Sequence, residues 1–280
     1  LVELRKVIPA FLTRVDLPNR GVLWSDYLST TQTDLKQTSM TVLADIDPQL
    51  RDEVSLVDFD PDGEVKVVAA ALYAVSNLPD SQLLAMARQM STNERASILK
   101  AYIGARTNRR HKPGRAFERT GYRFDVLSDY GAFRDLQRHR LLSIEWQDLT
   151  TDHGFNEPAA IEEAGALADW RQVMESSVEL HEALQKATLG AVAPYAVAMA
   201  YRIRFYMHMN AREAMHVIEL RSAPQGHPAY RRVCQAMHRL IAEKAGHRAI
   251  AAAMRFADHS AVDLERLQAE RASEKKRLRS

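Results

Sequence analysis

The sequence contains a single cysteine, Cys234, among 280 residues. One cysteine excludes an internal disulfide framework and any zinc cluster built from several cysteines. Cys234 lies in an amphipathic helical pattern, "YRRVCQAMHRL", which favours a buried structural thiol over a nucleophile. Because nothing in the chain calls for an oxidising compartment, we expect it in the reducing cytoplasm.

Long apolar runs and a surplus of one charge are also missing. No segment approaches the ~20 apolar residues that a membrane-spanning helix requires, so no membrane contact is predicted. The 38 Lys and Arg residues nearly balance the 36 Asp and Glu residues, leaving a formal charge of +2. Such a balance gives no electrostatic reason to expect a nucleic-acid partner.

Sequence motifs typical of common nucleotide or metal sites are absent as well. Neither GxGxxG nor a phosphate-loop lysine motif occurs, so the sequence does not support a Rossmann or P-loop nucleotide site. Among the ten histidines there is no HxxxH pair, and His208 and His216 fall on different predicted elements. We therefore predict no metal site.

Two segments that are present share one plan, in which a strand leads into a helix. Apolar side chains alternate with polar ones in "GYRFDVLSD", and Asp129 is placed to cap the helix that follows. The alternation is stronger in "YRIRFYMHM", where every second residue from Tyr201 to Met209 is apolar. Asn210 with Glu213 then begins the next helix in the manner of a capping box.

The rest of the chain is mostly helical in pattern. Helices are predicted with caps at Asp80 and Thr92, and a long one is predicted from Asn156 to near Gly190. "VKVVAAALYAV" fits either a strand or a helix. The class is therefore α+β and helix-rich, with a mixed segment at 1–60, a main domain at 61–250 and a charged helix at 251–280.

Basic side chains gather at the ends of both strand–helix segments. "QRHRLLSIEWQDLT" places Arg138, His139 and Arg140 side by side. They form either a solvated helix end or a group of donors facing an anion, and arginine suits bidentate phosphate contacts. The later helix carries Arg212 and His216 on one face, four residues apart.

These pieces together resemble the flavin-dependent thymidylate synthases. The Arg-His-Arg signature followed by Ser stands here as "RHRLLSIEWQDLT", and Arg134 matches the first residue of an Arg-Gln-Trp that precedes it in the family. "HKPGRAFE" resembles the family's His-x-Ser-Pro-Phe-Glu, with Phe117 and Glu118 matching. The Asn-Ala-Arg helix ending in Leu-Arg appears as "NAREAMHVIELR". The resemblance covers residues 65–245.

The resemblance implies a curved antiparallel sheet flanked by helices, assembled as a homotetramer that binds FAD between subunits. It assigns FAD contacts to Arg115, Arg138, His139, Arg140, Leu141, Asn210, Arg212 and His216. It assigns the pyrimidine nucleotide to Asp135, Arg138 and Arg221, and Arg221 would stabilise the ionised uracil ring. The implied reaction methylates dUMP with methylenetetrahydrofolate and NADPH, and it needs no cysteine nucleophile.

Several family positions are changed where the nucleotide would bind. Asp135 replaces a Gln near the pyrimidine, Trp146 replaces a Glu, and Asp148 and Thr150 replace a Ser and an Arg that grip the phosphate. Pro194 aligns with a further phosphate arginine. Since a carboxylate repels a phosphate dianion, the sequence predicts that FAD binding is retained and dUMP binding is impaired.

The resemblance and the changed positions lead to three alternative hypotheses for the function. The chain is a divergent synthase using FAD, or a flavoprotein with another substrate or a non-catalytic subunit, perhaps one half of a longer two-copy polypeptide. The third is a helical interaction protein that kept only the fold. The changed nucleotide positions favour the second over the first, and the intact Arg-His-Arg triplet favours the second over the third.

Overall fold

The computed structural model describes residues 1–261 and 266–278, and the chain divides into two compact units, Leu1–Leu50 and Arg51–Ser280. The first unit, which the sequence left unassigned, is helical. It contains α1 (Val2–Val7), α2 (Pro9–Asp16), a π-helical turn (Pro18–Val22) and α3 (Leu23–Val42). Pro9 and Pro18 stand at the start of their helices, where the missing N–H costs no hydrogen bond. Most large apolar side chains of this unit are exposed.

A four-stranded antiparallel sheet forms the centre of the second unit. Its strands are β1 (Val54–Phe59), β2 (Gly121–Asp129), β3 (Ser143–Trp146) and β4 (Arg202–Asn210), in the order β1-β2-β4-β3. The two predicted strands are confirmed, and so is their alternation, because Phe124 and Val126 on β2 and Phe205 and Met207 on β4 are buried. The predicted α+β class is confirmed.

Helices supply the remainder of the second unit. They are α4 (Gly63–Tyr73), α5 (Asp80–Gln89), α6 (Thr92–Ile103), α7 (Tyr130–Leu136), α8 (Ala159–Glu163), α9 (Leu167–Lys186), α10 (Ala211–Arg221), α11 (Pro228–Glu243), α12 (Arg248–Ala253) and α13 (Arg266–Arg277). Two short 3-10 helices lie at Arg115–Arg119 and Gly190–Ala196. Within the described residues no helix is long and apolar enough to cross a bilayer. Residues 262–265 and 279–280 of the predicted charged helix at 251–280 lie outside the described residues.

One face of the sheet packs against α4, α10 and α11 to form the main core. Val67 and Ile218 are fully buried there, and so is Cys234 on α11. Burial raises the pKa of the Cys234 thiol to about 12, which keeps it protonated and poorly nucleophilic at neutral pH. The structure therefore agrees with the interpretation of Cys234 as a structural residue.

The structure corrects three boundary predictions. Ser91, not Thr92, caps α6, since its hydroxyl accepts from the Glu94 N–H in a full capping box. Pro79 precedes α5, so Asp80 is the first helical residue and not the cap. The long predicted helix is two helices, α8 and α9, because Gly165 between them adopts a φ of 70° that helices do not tolerate. The ambiguous "VKVVAAALYAV" segment is the body of α4.

Candidate functional site

The strand–helix junctions bring the two basic motifs together. Asp129 caps α7 through the Ala132 N–H at 2.8 Å, and Asn210 caps α10 through the Glu213 N–H at 2.9 Å, each worth about 1 kcal/mol. These junctions lie at opposite ends of the β2–β4 pair. The chain leaving α7 runs back along the sheet until Ser143 pairs with His208. The turn at 138–142 therefore lies beside the start of α10.

Arg221, at the end of α10, contacts the middle residue of the triplet. Its Nε donates to His139 Nε2 at 3.1 Å, and His139 Nδ1 faces Glu213 Oε1 at 3.5 Å. His139 and Glu213 are buried. The His216 ring meets the His139 ring edge-on, with centroids 5.5 Å apart. Four side chains from two distant segments thus form one compact polar cluster, which we call the Arg221 cluster.

Asp135, next to the Arg221 cluster, neutralises the charge of Arg221. Arg221 Nη2 donates to the Asp135 carbonyl oxygen at 2.8 Å, and Nη1 lies 3.3 Å from the Asp135 carboxylate. The Arg221 guanidinium also lies over the Tyr230 ring at 5.4 Å. Arg138 approaches the same carboxylate only to 3.9 Å, and its side chain is 71% exposed. An internal carboxylate therefore already satisfies the arginine that the resemblance assigns to the uracil ring.

Glu213 forms a group of three potential metal ligands with His139 and His216, which the sequence did not predict. Ligand atoms of His139, Glu213 and His216 lie within 4.8 Å of one another, a spacing that a metal ion accepts. Arginine can only donate, so His139 Nε2 supplies the lone pair and its proton sits on Nδ1, toward Glu213. A metal ion at Nδ1 would have to displace that proton and break the Arg221 bond. The geometry therefore fits a hydrogen-bonded chain better than a metal centre.

Surrounding charges also disfavour a cation in the Arg221 cluster. The pKa of His216 is lowered mainly by burial, and the positive charges of Lys112 and Arg109 act in the same direction against Glu213. The signal for Glu213 in the sequence was its spacing. Three residues before His216 on the same helix, it shares a face with that histidine.

A separate cleft of about 550 Å³ opens at the end of the sheet where α10 begins. It is lined by Asp60, Glu118, Arg119, Thr120, Gly121, Arg140, Leu141, Leu142, Ser143, His208, Met209 and Asn210. Three predicted cofactor residues, Arg140, Leu141 and Asn210, line it directly. Leu141 is 72% exposed, so its side chain is available to an apolar ligand surface.

Two more predicted cofactor residues reach the cleft through Glu118. Arg115 Nη2 lies 3.0 Å from one Glu118 oxygen, and Arg212 Nη1 lies 3.3 Å from the other. Arg212 also donates from Nε to the Pro113 carbonyl at 3.0 Å. The predicted cofactor residues thus divide in space: five gather at the cleft, His139 and His216 belong to the Arg221 cluster, and Arg138 points outward.

A buried ion pair fixes the loop that precedes the 3-10 helix at Arg115–Arg119. Both Arg106 and Glu219 are almost fully buried, and Arg106 Nη2 lies 2.7 Å from Glu219 Oε2. Arg106 also donates to the carbonyls of His111 at 2.6 Å and Ala253 at 2.8 Å. Its donors are therefore matched with acceptors, as a buried charge requires. The chain segment leading to Arg115 is held in place by these bonds.

The changed nucleotide positions have structural roles of their own. Trp146 lies on the edge strand β3 and is 53% exposed, with its ring 5.5 Å from that of Phe133. The Thr150 hydroxyl accepts from the Asp152 N–H at 3.3 Å, and Pro194 lies inside the 3-10 helix at Gly190–Ala196. Neither Thr150 nor Pro194 presents a cation where the resemblance has a phosphate-binding arginine.

Comparison with known proteins shows which fold and family this chain shares. The fold is similar to that of the UMP/dUMP methylase PolB from Streptomyces cacaoi, solved with 5-Br dUMP bound. The TM-score is 0.56 at 19% identity, covering 75% of this chain and all of that one. The family model of the thymidylate synthase complementing protein matches residues 55–247. The chain belongs to the thymidylate synthase complementing protein family.

Curated relatives are longer than this chain. A UPF0159 protein of Chlamydia muridarum is 35% identical over 271 residues, which cover 96% of this chain and 51% of the relative. One from Chlamydia pneumoniae is 35% identical over 272 residues, covering 96% and 50%. A third, from Thermoplasma acidophilum, is 36% identical over 206 residues, covering 73% and 41%. The chain spans about half the length of the curated relatives it matches.

Proposed function

We propose that this chain is a divergent, FAD-binding protein of the thymidylate synthase type, with the cofactor held at the cleft. The observation that carries the proposal is the convergence of five predicted cofactor residues on that cleft. Arg140, Leu141 and Asn210 line it, while Arg115 and Arg212 meet at Glu118. These residues come from three separate segments of the sequence.

The residues present fit a flavin dinucleotide. Asn210 lines the cleft, and the cap of α10 uses only its Oδ1, which accepts from the Glu213 N–H. The Asn210 Nδ2 can therefore donate to a polar group of a ligand. Arg140 brings a cation for a phosphate, and Leu141 and Met209 bring apolar surface. When bound, FAD would supply hydride and electron transfer, chemistry that side chains do not provide.

Pyrimidine nucleotide is the substrate class that we propose, with weakened binding of dUMP. The fold shared with a UMP/dUMP methylase and the family membership support this class. Asp135 already occupies two donors of Arg221, so a uracil anion must compete with a carboxylate for them. If the chain is active as a synthase, methylenetetrahydrofolate and NADPH are its cosubstrates.

The first test of the proposal is the visible spectrum of the purified full chain, before and after addition of FAD and gel filtration. We expect flavin bands that co-elute with the protein. Arg140→Ala combined with Arg138→Ala should abolish them, while Arg239→Ala, an exposed arginine on α11, should leave them unchanged. A colourless protein that ignores added FAD would reject the flavin site and favour an interaction protein that kept only the fold.

The second test is calorimetric titration with dUMP. We expect no saturable binding at micromolar concentrations, because the Arg221 donors are occupied and Asp148 stands in place of a phosphate donor. Tight dUMP binding would instead establish the working synthase as the better reading. It would leave the cofactor proposal untouched.

A further inference from the structure

Helix α3 (Leu23–Val42) carries apolar surface that the fold leaves uncovered. It is 20 residues long, and none of them is buried by the described part of the chain. A helix in water draws most of its stability from packing an apolar face against another element. Trp24, Tyr27 and Leu35 are instead 62%, 58% and 67% exposed. The helix therefore lacks the packing partner that its composition calls for.

Most of the exposed apolar side chains of α3 lie along one side. Leu28, Leu35 and Val42 follow one another at intervals of seven residues, and Trp24 and Tyr27 lie on the same side in the first turn. At ~100° per residue, these five side chains fall within an arc of roughly 100°. We call them the α3 stripe.

The α3 stripe contains no charged residue. The charged residues of the helix, Asp26, Asp34 and Lys36, all lie outside its arc. Thr31 and Thr38 lie within the arc and interrupt the stripe with small polar side chains. The two aromatic rings of the stripe are 5.6 Å apart. Few charges and exposed aromatic rings are typical of the centre of a protein–protein interface and not of a solvated helix face.

The helix lies outside the part of the chain that the family accounts for. The family model begins at residue 55, whereas α3 ends at Val42. The match to each Chlamydia relative covers 96% of this chain, and Leu1–Leu50 is 50 of its 280 residues, so most of this unit falls within that match. The unit is therefore an addition to the family domain that these relatives also carry.

We propose that the α3 stripe is the surface through which a second copy of this chain associates with the first, helix against helix. Apolar residues seven positions apart form the seam by which two helices pack side by side. A two-fold pairing brings the stripe against itself, and because the stripe is uncharged no like charges meet there. A partner of different sequence would be selected by complementary charges along the seam, which the stripe does not offer.

The exposed area of the α3 stripe is of the size that a dimer requires. At about 150–250 Å² for a large side chain, the five side chains present roughly 600 Å² per copy. A standard interface buries about 800 Å² per partner, and the flanking Ser, Thr and Gln side chains of α3 supply the remaining polar rim. The surface needs no ligand, so this inference stands apart from the proposed function.

The first experiment cross-links single-cysteine variants of the full chain with a short bis-maleimide. The one natural cysteine, Cys234, is buried and its pKa is raised to about 12, so it leaves the background clean. Leu35→Cys lies near the middle of the stripe, where two copies approach in either helix direction. Thr33→Cys, on the opposite side of α3, is the matched control. We expect a covalent dimer from Leu35→Cys and none from Thr33→Cys.

The second experiment places like charges in the α3 stripe. Leu28→Glu combined with Leu35→Glu should raise the dissociation constant of self-association by more than about a hundredfold, because apolar burial is lost and like charges meet. Thr33→Glu combined with Met40→Glu puts the same charges seven residues apart on the opposite side, and should associate like the parent. Sedimentation of the full chain over a range of concentrations measures both.

The outcomes decide the inference even where another interface also joins the copies. Cross-linking at Leu35→Cys without cross-linking at Thr33→Cys supports it, whatever mass the charged variants keep. A Leu35→Cys protein that does not cross-link, or that cross-links no better than Thr33→Cys, overturns it. A parent chain that is monomeric at every concentration also overturns it. Because no ligand is added, a failure of the flavin proposal leaves these results unchanged.

Discussion

Arg140 was predicted to bind FAD and Arg221 to stabilise the uracil ring, and the structure places the two arginines in opposite settings. Arg221 donates to His139 and to Asp135, and its positive charge is matched by an internal carboxylate. Arg140 lies in an open cleft with its donors unspent in the described part of the chain. Arg221 therefore contributes to the stability of the fold, while Arg140 is available to a ligand.

The difference shows why a matching motif does not guarantee matching chemistry. An arginine stabilises a developing anion only if its charge is free to act on it. A single change, a carboxylate at Asp135, commits the charge of Arg221 to the protein. At the cleft a carboxylate that matches the family, Glu118, pairs with Arg115 and Arg212 but leaves Arg140 free.

The largest expected effect is on stability. Arg221→Ala should lower the free energy of unfolding by about 2 kcal/mol, because it leaves buried His139 without its donor and the partly exposed Asp135 carboxylate without its ion-pair partner. Arg140→Ala, the matched change at the cleft, should shift it by less than about 0.5 kcal/mol. Urea denaturation of both variants measures this. Equal losses would remove the distinction between the two regions.

The second-largest effect is expected on dUMP affinity, when Asp135 no longer pairs with Arg221. Asp135→Asn removes the negative charge and keeps the carbonyl contact of the backbone, so the guanidinium can act on an anionic ligand. We expect dUMP affinity to rise about tenfold, the equivalent of one charge-assisted hydrogen bond. Calorimetry of dUMP with the variant and the parent tests this. Unchanged dUMP affinity would mean that Asp135 does not limit nucleotide binding.

The Arg221 cluster should also respond to pH. Because burial lowers the pKa of His216 in the folded state, the unfolded chain binds more protons between its pKa, about 6.5, and the folded value. The stability is therefore complete above pH 6.5 and falls as the pH drops toward the lowered pKa. Burial also lowers the pKa of His153, His247 and His259, so the whole protein loses stability there.

The contribution of His216 is isolated by comparison with a variant. Denaturation curves between pH 7.5 and pH 5 should show a shallower loss for His216→Gln than for the parent. His111→Gln, at an exposed loop position, is the control and should follow the parent. Identical slopes for His216→Gln and the parent would contradict the assignment.

The smallest effect is expected at the rim of the cleft. Arg119 is half exposed and shares its charge with Asp80, so Arg119→Ala should weaken FAD binding only two- to threefold, as for a screened surface charge. Titration with FAD in the visible spectrum at low and high salt measures this, because the effect should disappear at high salt. A loss as large as that of Arg140→Ala would show that Arg119 contacts the cofactor as closely as Arg140.

Local patterns in the sequence predicted local structure well. Period-two alternation identified β2 and β4, and Asp129 and Asn210 were recognised as caps because their chemistry acts within three residues. The helices of Leu1–Leu50 escaped because their apolar residues are mostly exposed, and Thr31 and Thr38 interrupt the stripe that α3 carries. Gly165 broke a helix that the surrounding residues favoured.

The sequence predicted which residues belong to the candidate site, but not how they contact one another. His139 accepts from Arg221 across a separation of 82 positions, and no local rule reports which carboxylate will reach an arginine first. Thr120 belongs to no motif, and only the fold shows that its hydroxyl is buried beside Gly63 and His247 with no partner among the described residues. Glu213 looked like half of a capping box, although its side chain faces a histidine.

The bond from Arg106 to the Ala253 carbonyl sets an order of events during synthesis. Those residues are 147 positions apart, so a ribosome adding roughly 5–20 residues per second needs about 7–30 s to deliver the second after the first. Throughout that interval the segment leading to Arg115 lacks its anchor. The loop before Arg115 is therefore among the last parts of the molecule to be fixed, and a nascent chain stalled before Ala253 carries Arg115 and Arg140 without the bonds that hold this loop.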